Sequence, residues 1–288
     1  MKNTLKITKS IMNKYNIVAN KRFGQNFLID DSILEGIVEN ANITKNDLVI
    51  EIGPGLGNLT DYILDRAGFA VLVEIDKKMI DILNDRFKDK NNYTLLNEDV
   101  LKISLDEYVT KLKEEKNITF DKIKVVANLP YYITTPILFK LLQDETCIDE
   151  IMVMVQKEVA DRMVANYKTK DYGILTLMIE YLSDADIKII VPNNSFIPAP
   201  NVTSAVIGLK KRKKYTVKNE KLLFELIHAS FAKRRKKMIN SLQMSNFNNF
   251  SKSQIEEIFE SCNIDFNTRA EELPIEKYIE IVDKIASI

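Results

Sequence analysis

From residue 48 the chain alternates short apolar runs with amphipathic stretches, and this alternation restricts the possible folds more than any other feature. The runs cover residues 48–52, 70–75, 93–96, 123–127 and 151–155. They are short, rich in Val, Ile and Leu, and mostly bounded by turn residues, as buried parallel strands are. Amphipathic stretches such as 59–66 and 77–87 lie between them. Strand alternating with helix predicts an α/β fold: a doubly wound, mostly parallel sheet. Two further strand candidates, 187–191 and 205–209, flank a loop rich in Pro and Asn. They can form an antiparallel hairpin at one sheet edge and raise the strand count to seven.

After Leu209 the pattern changes. Residues 210–214 read as a linker, and helices are expected near 219–233, 235–244, 252–261 and 275–286. Ser251 with Gln254 three residues later is a capping-box pair, and Pro274 stands at the start of the last helix. The expected organisation is a basic N-terminal extension (1–22), a sheet domain (23–210) and a small helical domain (211–288). The extension is expected to be partly mobile.

Of the 288 residues, 41 are basic and 41 acidic, so the net charge of zero offers nothing to a polyanion. The distribution does. Residues 1–22 carry six Lys or Arg and no acid, and residues 210–240 carry twelve against Glu220 and Glu225. Such runs are either solvated helix surfaces or a basic face that meets phosphates. Two distant cysteines, Cys147 and Cys262, suggest neither a disulfide framework nor a metal site. No segment reads as a signal peptide or a membrane span. A cytoplasmic protein without metal or membrane attachment is expected, and a monomer is the default.

Three of the eight glycines fall within five residues, Gly53, Gly55 and Gly57 in EIGPGLGNLT, directly after the first strand. Glycine lets the backbone turn sharply and a ligand approach closely. The G-x-G-x-G spacing differs from the dinucleotide fingerprint and suits a cofactor with no pyrophosphate to seat. Asn58 or Thr60 can cap the following helix. Glu74 ends the next strand, where a carboxylate can accept from both hydroxyls of a ribose. Asp99 follows the third strand, placed for an adenine amino group. Each acid alone can equally be a solvated loop residue. Three features at successive strand ends make a nucleotide-like ligand the better reading.

The fourth strand runs into NLPYYITTP. Asn128, Leu129, Pro130 and Tyr131 would stand beside that ligand. Their chemistry suits an exocyclic adenine N6, a poor nucleophile because its lone pair is delocalised into the ring. The side-chain carbonyl of Asn128 and the main-chain carbonyl of Leu129 or Pro130 can accept its two N–H bonds. Pro130 stiffens the turn. Aimed carbonyl dipoles stabilise the positive charge that develops as the nitrogen attacks a sulfonium methyl group. Tyr131 offers a stacking face. Phe196, in the stiff segment FIPAPNV, is either a second plate for a flipped base or an ordinary core residue at a strand end.

These motifs, with KRFGQNFL (21–28), VEID, EDVLK, MVQKEVADRM, FAKRRKKMINSL and TRAEEL (268–273), resemble the small-subunit (16S) ribosomal RNA adenine N6,N6-dimethyltransferase family of the KsgA/RsmA type. The resemblance runs in order over nearly the whole chain from Lys21. It implies a Rossmann-like methyltransferase sheet, S-adenosylmethionine as cofactor, and transfer of four methyl groups to two adjacent adenosines near the 3′ end of small-subunit rRNA in an assembling 30S-type particle. It implies that Asn26 and Leu28 contact the cofactor with Gly53, Gly55, Glu74, Asp99 and Asn128. It also implies that Asn128, Tyr131 and Phe196 handle the target base. Arg22 and the run Lys233, Arg234, Arg235, Lys236 and Lys237 are the RNA-binding candidates; on a helix that run would grip phosphates with one face. Ile174 departs from the pattern, since the family often has Arg after the Tyr-Gly pair.

Rival readings are an antibiotic-resistance adenine dimethyltransferase of large-subunit rRNA, which shares QNFL and NLPY, and an RNA-binding assembly factor without catalysis. The basic linker and the TRAEEL tail favour the small-subunit type. The glycine spacing disfavours a dehydrogenase, and Leu129 disfavours a protein methyltransferase. His228, the one histidine, reads as a helix residue, and Met152, Met154 and Met163 as core.

Overall fold

The computed structural model describes residues 2–20, 24–233 and 235–287. In chain order the elements are α1 (Thr4–Lys14), β1 (Phe27–Leu28), α2 (Asp31–Asn40), β2 (Asp47–Ile52), α3 (Asn58–Arg66), β3 (Phe69–Val73), α4 (Lys77–Arg86), β4 (Tyr93–Leu96), α5 (Leu105–Lys116), β5 (Lys122–Asn128) and α6 (Thr134–Phe139). They continue with β6 (Glu150–Gln156), α7 (Lys157–Met163), α8 (Ile174–Leu182), β7 (Ser183–Val191), β8 (Phe196–Ile197), β9 (Ser204–Lys211), α9 (Glu220–Phe231), α10 (Met238–Met244), α11 (Lys252–Ser261) and α12 (Ile275–Ile285). The α/β expectation holds. Seven strands form one sheet in the order β4-β3-β2-β5-β6-β9-β7. The pairs from β4 through β6 are parallel, and β9 runs antiparallel to β6. The apolar runs became strands because both sheet faces are covered; every residue of β2 and β3 is buried. Edge strand β7 instead alternates buried and exposed positions over much of its length.

The chain builds outward from β2 through β3 to β4 and then returns to β5 on the other side of β2. Ligands bind outside the carboxyl ends of the strands at such a reversal. In register, Ile52 lies beside Val73 on one side and Ala127 on the other, so the loops after β2, β3 and β5 leave the sheet at one edge. The opposite end is pinned by a buried ion pair. Lys124 Nζ meets Asp47 Oδ2 at 3.0 Å and donates to the carbonyls of Ala41 and Asn42 at 3.0 and 2.7 Å.

The chain divides into two compact units. One comprises Met1–Ala160 and Ala185–Lys211, the other Asp161–Asp184 and Arg212–Ile288. The segment 161–184, assigned from the sequence to the sheet domain, therefore groups with the C-terminal helices. Helix α8 is apolar on nearly all sides and fits there: Tyr172 donates to Leu273 O at 3.0 Å, and Tyr215 to Glu180 at 3.3 Å. Two further expectations change. Lys210 and Lys211 end β9 rather than starting a linker. Residues 4–14 form a helix counted within the first unit, where the sequence reading set 1–22 apart as an extension without assigned structure. The Ser251–Gln254 capping box and Pro274 before α12 occur as read.

Candidate active site

The three glycines share a positive φ and act differently. At Gly53 (φ 68°) a Cβ would meet nothing within 4 Å, so the missing side chain leaves space on the cavity side. At Gly57 (φ 81°) a Cβ would fall 2.7 Å from Phe87 and 2.9 Å from Leu83, so close packing against α4 demands glycine. Gly57 is also the residue before α3. Neither Asn58 nor Thr60 caps that helix, contrary to expectation, because each bonds elsewhere. Asn58 donates to Thr8 and to Leu28 O, both at 2.8 Å, and Thr60 donates to Glu51 at 2.6 Å.

Glu74 follows β3 and turns back onto the glycine loop. Its Oε2 accepts the Gly55 N–H at 3.0 Å and its Oε1 the Asp76 N–H at 2.9 Å. Burial raises its carboxyl above the ordinary range, and these two bonds partly offset that. Asn97 donates to Glu74 O at 2.9 Å and ties the ends of β3 and β4 together. Asp99 lies just beyond, in a turn in which Oδ1 accepts the Leu101 N–H at 3.0 Å.

Asn128 ends β5. Its Nδ2 donates to the main-chain carbonyl of Asn26 at 3.2 Å, which turns its Oδ1 away from that carbonyl. The side chain of Asn26 bonds Gly24 O at 3.1 Å, so Asn26 meets Asn128 through its backbone. Of the two main-chain acceptors considered, Pro130 O is engaged by Ile133 N at 3.2 Å and Thr134 Oγ1 at 3.1 Å. That leaves Leu129 O as the better candidate. The Tyr131 hydroxyl shares a 2.6 Å bond with Ser204 Oγ, which fixes the ring, and burial pushes its pKa up.

One cavity is lined by Asn26, Leu28, Gly53, Gly55, Glu74, Asp99, Asn128, Leu129, Pro130 and Tyr131. Ten residues singled out from five separated motifs thus converge. Phe196 does not join them: it is 3% exposed, pairs with Leu28 across the β1–β8 ladder and packs in the core. The core alternative weighed for it describes what is found. The basic run also differs from expectation, because α9 ends at Phe231 and α10 begins at Met238, so Lys233, Arg235, Lys236 and Lys237 lie on neither helix. Lys233, Arg235, Lys236 and Lys237 are exposed, and Lys237 Nζ reaches Asn267 Oδ1 at 2.5 Å. Arg22 and Arg234 lie outside the described residues.

Among the cavity residues that the sequence reading did not single out, two carry chemistry. Glu51 is an acid inside an apolar strand run, a signal legible in VIEIG. It is 1% exposed, and burial, with repulsion from Glu74, raises its carboxyl to about 8 against the Thr60 bond and Arg86. Tyr132, after Tyr131, lines the same cavity yet is 62% exposed. Among the described residues there is no group of three or more His, Cys, Asp or Glu side chains placed to hold a metal, and no helix long and apolar enough to cross a membrane.

A family model described as ribosomal RNA adenine dimethylase matches residues 16–287. The chain is 47% identical over 283 residues to ribosomal RNA small subunit methyltransferase A of Lachnoclostridium phytofermentans, covering 97% of this chain and 96% of the relative. It is 45% identical over 273 residues to the protein of that name from Clostridioides difficile, covering 94% and 92%. A crystal structure of a dimethyladenosine transferase from Plasmodium falciparum superposes with a TM-score of 0.74 at 25% identity, covering 91% of this chain and 98% of that one. The 23S rRNA methyltransferase ErmE shares the fold, with a TM-score of 0.65 at 22% identity over 91% of this chain and 100% of that one.

Proposed function

Because the chain belongs to the ribosomal RNA adenine dimethylase family, we propose that it dimethylates N6 of two adjacent adenosines near the 3′ end of small-subunit rRNA, within an assembling 30S-type particle. S-adenosylmethionine is the cofactor of this family, and the cavity fits it. Glu74 is a buried carboxylate for a ribose, Asp99 is a second acceptor, and the face of Gly53 is open. When bound, the cofactor supplies an electrophilic methyl on sulfur.

The observation that carries the reading is the orientation of Asn128. With Nδ2 committed to Asn26 O, its Oδ1 is the acceptor left for a substrate N–H. Leu129 O supplies the second acceptor and Tyr131 the stacking face. Together they hold the amino group, orient its lone pair and stabilise the positive charge that grows on nitrogen. The proton leaves after attack, so no strong base is required.

The small-subunit substrate is favoured over the large-subunit one by curated relatives at 45–47% identity that carry the small-subunit name, against 22% for ErmE. The exposed lysines and arginine of 232–237 suit phosphate docking on folded rRNA. The protein acts as a monomer in the cytoplasm. The test is mass spectrometry of small-subunit particles and of large-subunit rRNA after incubation with protein and cofactor. Two adjacent dimethyladenosines confined to small-subunit rRNA are expected; methyl groups only on large-subunit rRNA would overturn the assignment.

A further inference from the structure

Residues 24–28 form a strap across the cavity, and little regular structure holds it. Its strand, β1, is two residues long and pairs with a two-residue partner. A buried side chain supplies another tie. Asn58 is 5% exposed and donates both to Leu28 O and to Thr8 Oγ1, each at 2.8 Å, while its Oδ1 accepts from Arg86 at 3.0 Å. Both donations come from one amide nitrogen. The hydroxyl of Thr8, itself fully buried, therefore sets the direction of the bond to the strap.

A second contact reaches the strap through a side chain. Ile17, just past α1, clusters with Phe27, Leu56, Met79 and Ile82. The Phe27 ring lies against the glycine loop, 3.4 Å from where a Gly55 Cβ would stand. The N-terminal segment around α1 is meanwhile fastened to α3, which follows the loop, and to α2 and α4. Lys2 pairs with Asp61 and Asp65 at 3.0 and 2.6 Å, Asp31 accepts the N–H groups of Asn3 and Thr4, and Lys14 and Tyr15 reach Asp85 at 2.6 and 2.5 Å.

We infer that helix α1 belongs to the cofactor site at one remove, with Thr8 a positioning residue that acts through Asn58 on the strap. The inference rests on the reading that the cavity holds the cofactor. It assigns α1 to cofactor affinity rather than to RNA, and the charges of Lys14 and of Lys2, just before the helix, are spent on carboxylates of α4 and α3.

The test is Thr8→Val, which keeps the shape and removes the hydroxyl, with Thr8→Ser as the rescue. Calorimetry with S-adenosylhomocysteine should show affinity weakened about tenfold in Thr8→Val and restored in Thr8→Ser, the effect of an unpaired buried donor. The KM for the RNA substrate and kcat at saturating cofactor should stay within about twofold of wild type. A Thr8→Val protein that is folded at the assay temperature and binds the cofactor product as wild type does overturns the inference. On the unaltered protein, S-adenosylhomocysteine should slow amide exchange across residues 4–14 as well as 24–28; slowing confined to 24–28 would also overturn it. Wild-type protein that does not bind S-adenosylhomocysteine would instead refute the reading of the cavity.

Discussion

Asn128 and Asn26 lie 102 residues apart in sequence and meet at 3.2 Å, side-chain amide to main-chain carbonyl. A carbonyl can only accept, so the contact decides which end of the Asn128 amide faces the strap and which faces the substrate. Asn128→Ala removes the acceptor, and methylation should fall at least about a hundredfold, the scale seen when one group aimed at developing charge is deleted. Binding to the small subunit should persist if, as proposed, the phosphates are met by Lys233, Arg235, Lys236 and Lys237. Asn128→Asp should not rescue, since it sets a carboxylate oxygen against Asn26 O. Labelled-methyl transfer and a subunit-binding assay on the same preparations check both statements, and equal loss of both activities would contradict the division of labour.

Tyr132 presents a broad exposed aromatic face at the mouth of the cavity, next to the fixed ring of Tyr131. Gly24 of the strap lies against this ring, and an added Cβ there would stand 3.5 Å away. A ring exposed beside the cavity is available to stack on a base adjoining the one inside it. Stacking contributes on the order of 1–3 kcal/mol per base. Tyr132→Ala should raise KM for the RNA substrate about tenfold and leave cofactor affinity unchanged, with Tyr132→Phe close to wild type. Steady-state kinetics with each substrate varied in turn separates the two effects.

The sheet was legible because burial on both faces writes strands as unbroken apolar runs, and the three strand-end motifs were legible because topology brings such ends together. What escaped depends on partners distant in sequence. Asn58 read as a helix cap and Thr8 carried no signal at all, yet the fold sets them 2.8 Å apart. Phe196 read as a possible plate because its motif lies near the site, yet its pairing with Leu28 turns it into the core. Residues 174–182 read as part of the sheet domain because an apolar segment carries no mark of the unit it packs in. The sequence pattern puts the break between two helices at 234, and no local signal showed that the first ends at Phe231 and the second starts only at Met238.

Lys124 and Asp47 bear on stability rather than catalysis. Their side chains are 4% and 3% exposed, and their nearest atoms lie 3.0 Å apart. Asp47 also accepts from Thr44 N at 2.8 Å and from Thr44 Oγ1 at 3.1 Å. Removing one member of such a pair leaves the other charge buried without its counter-ion, at a cost of roughly 3–5 kcal/mol. Lys124→Ala should therefore lower the unfolding free energy by about that amount, with chemical denaturation as the measure. A matched Lys124→Met, Asp47→Leu double variant should recover much of the loss. If the single and double variants are equally destabilised, the pair is not the source.

Glu51 couples the folded state to pH. Its carboxyl is raised from 4.5 to about 8, first by burial and then by the charge on Glu74, against the Thr60 bond and Arg86. Between these two values the folded chain keeps a proton that the unfolded chain has released. Stability from this group is thus fully present below about 4.5 and is lost as pH rises through about 8. One proton sets the limiting slope at about 1.4 kcal/mol per pH unit. Glu51→Gln keeps the shape and removes the titration, so its unfolding free energy should change less steeply with pH than that of the wild type across this window. Its stability should match the wild type at the acid end and exceed it at the alkaline end. Parallel slopes in denaturant melts of the two proteins would mean that Glu51 is ionised in the folded state across the whole range, with its charge balanced by Arg86.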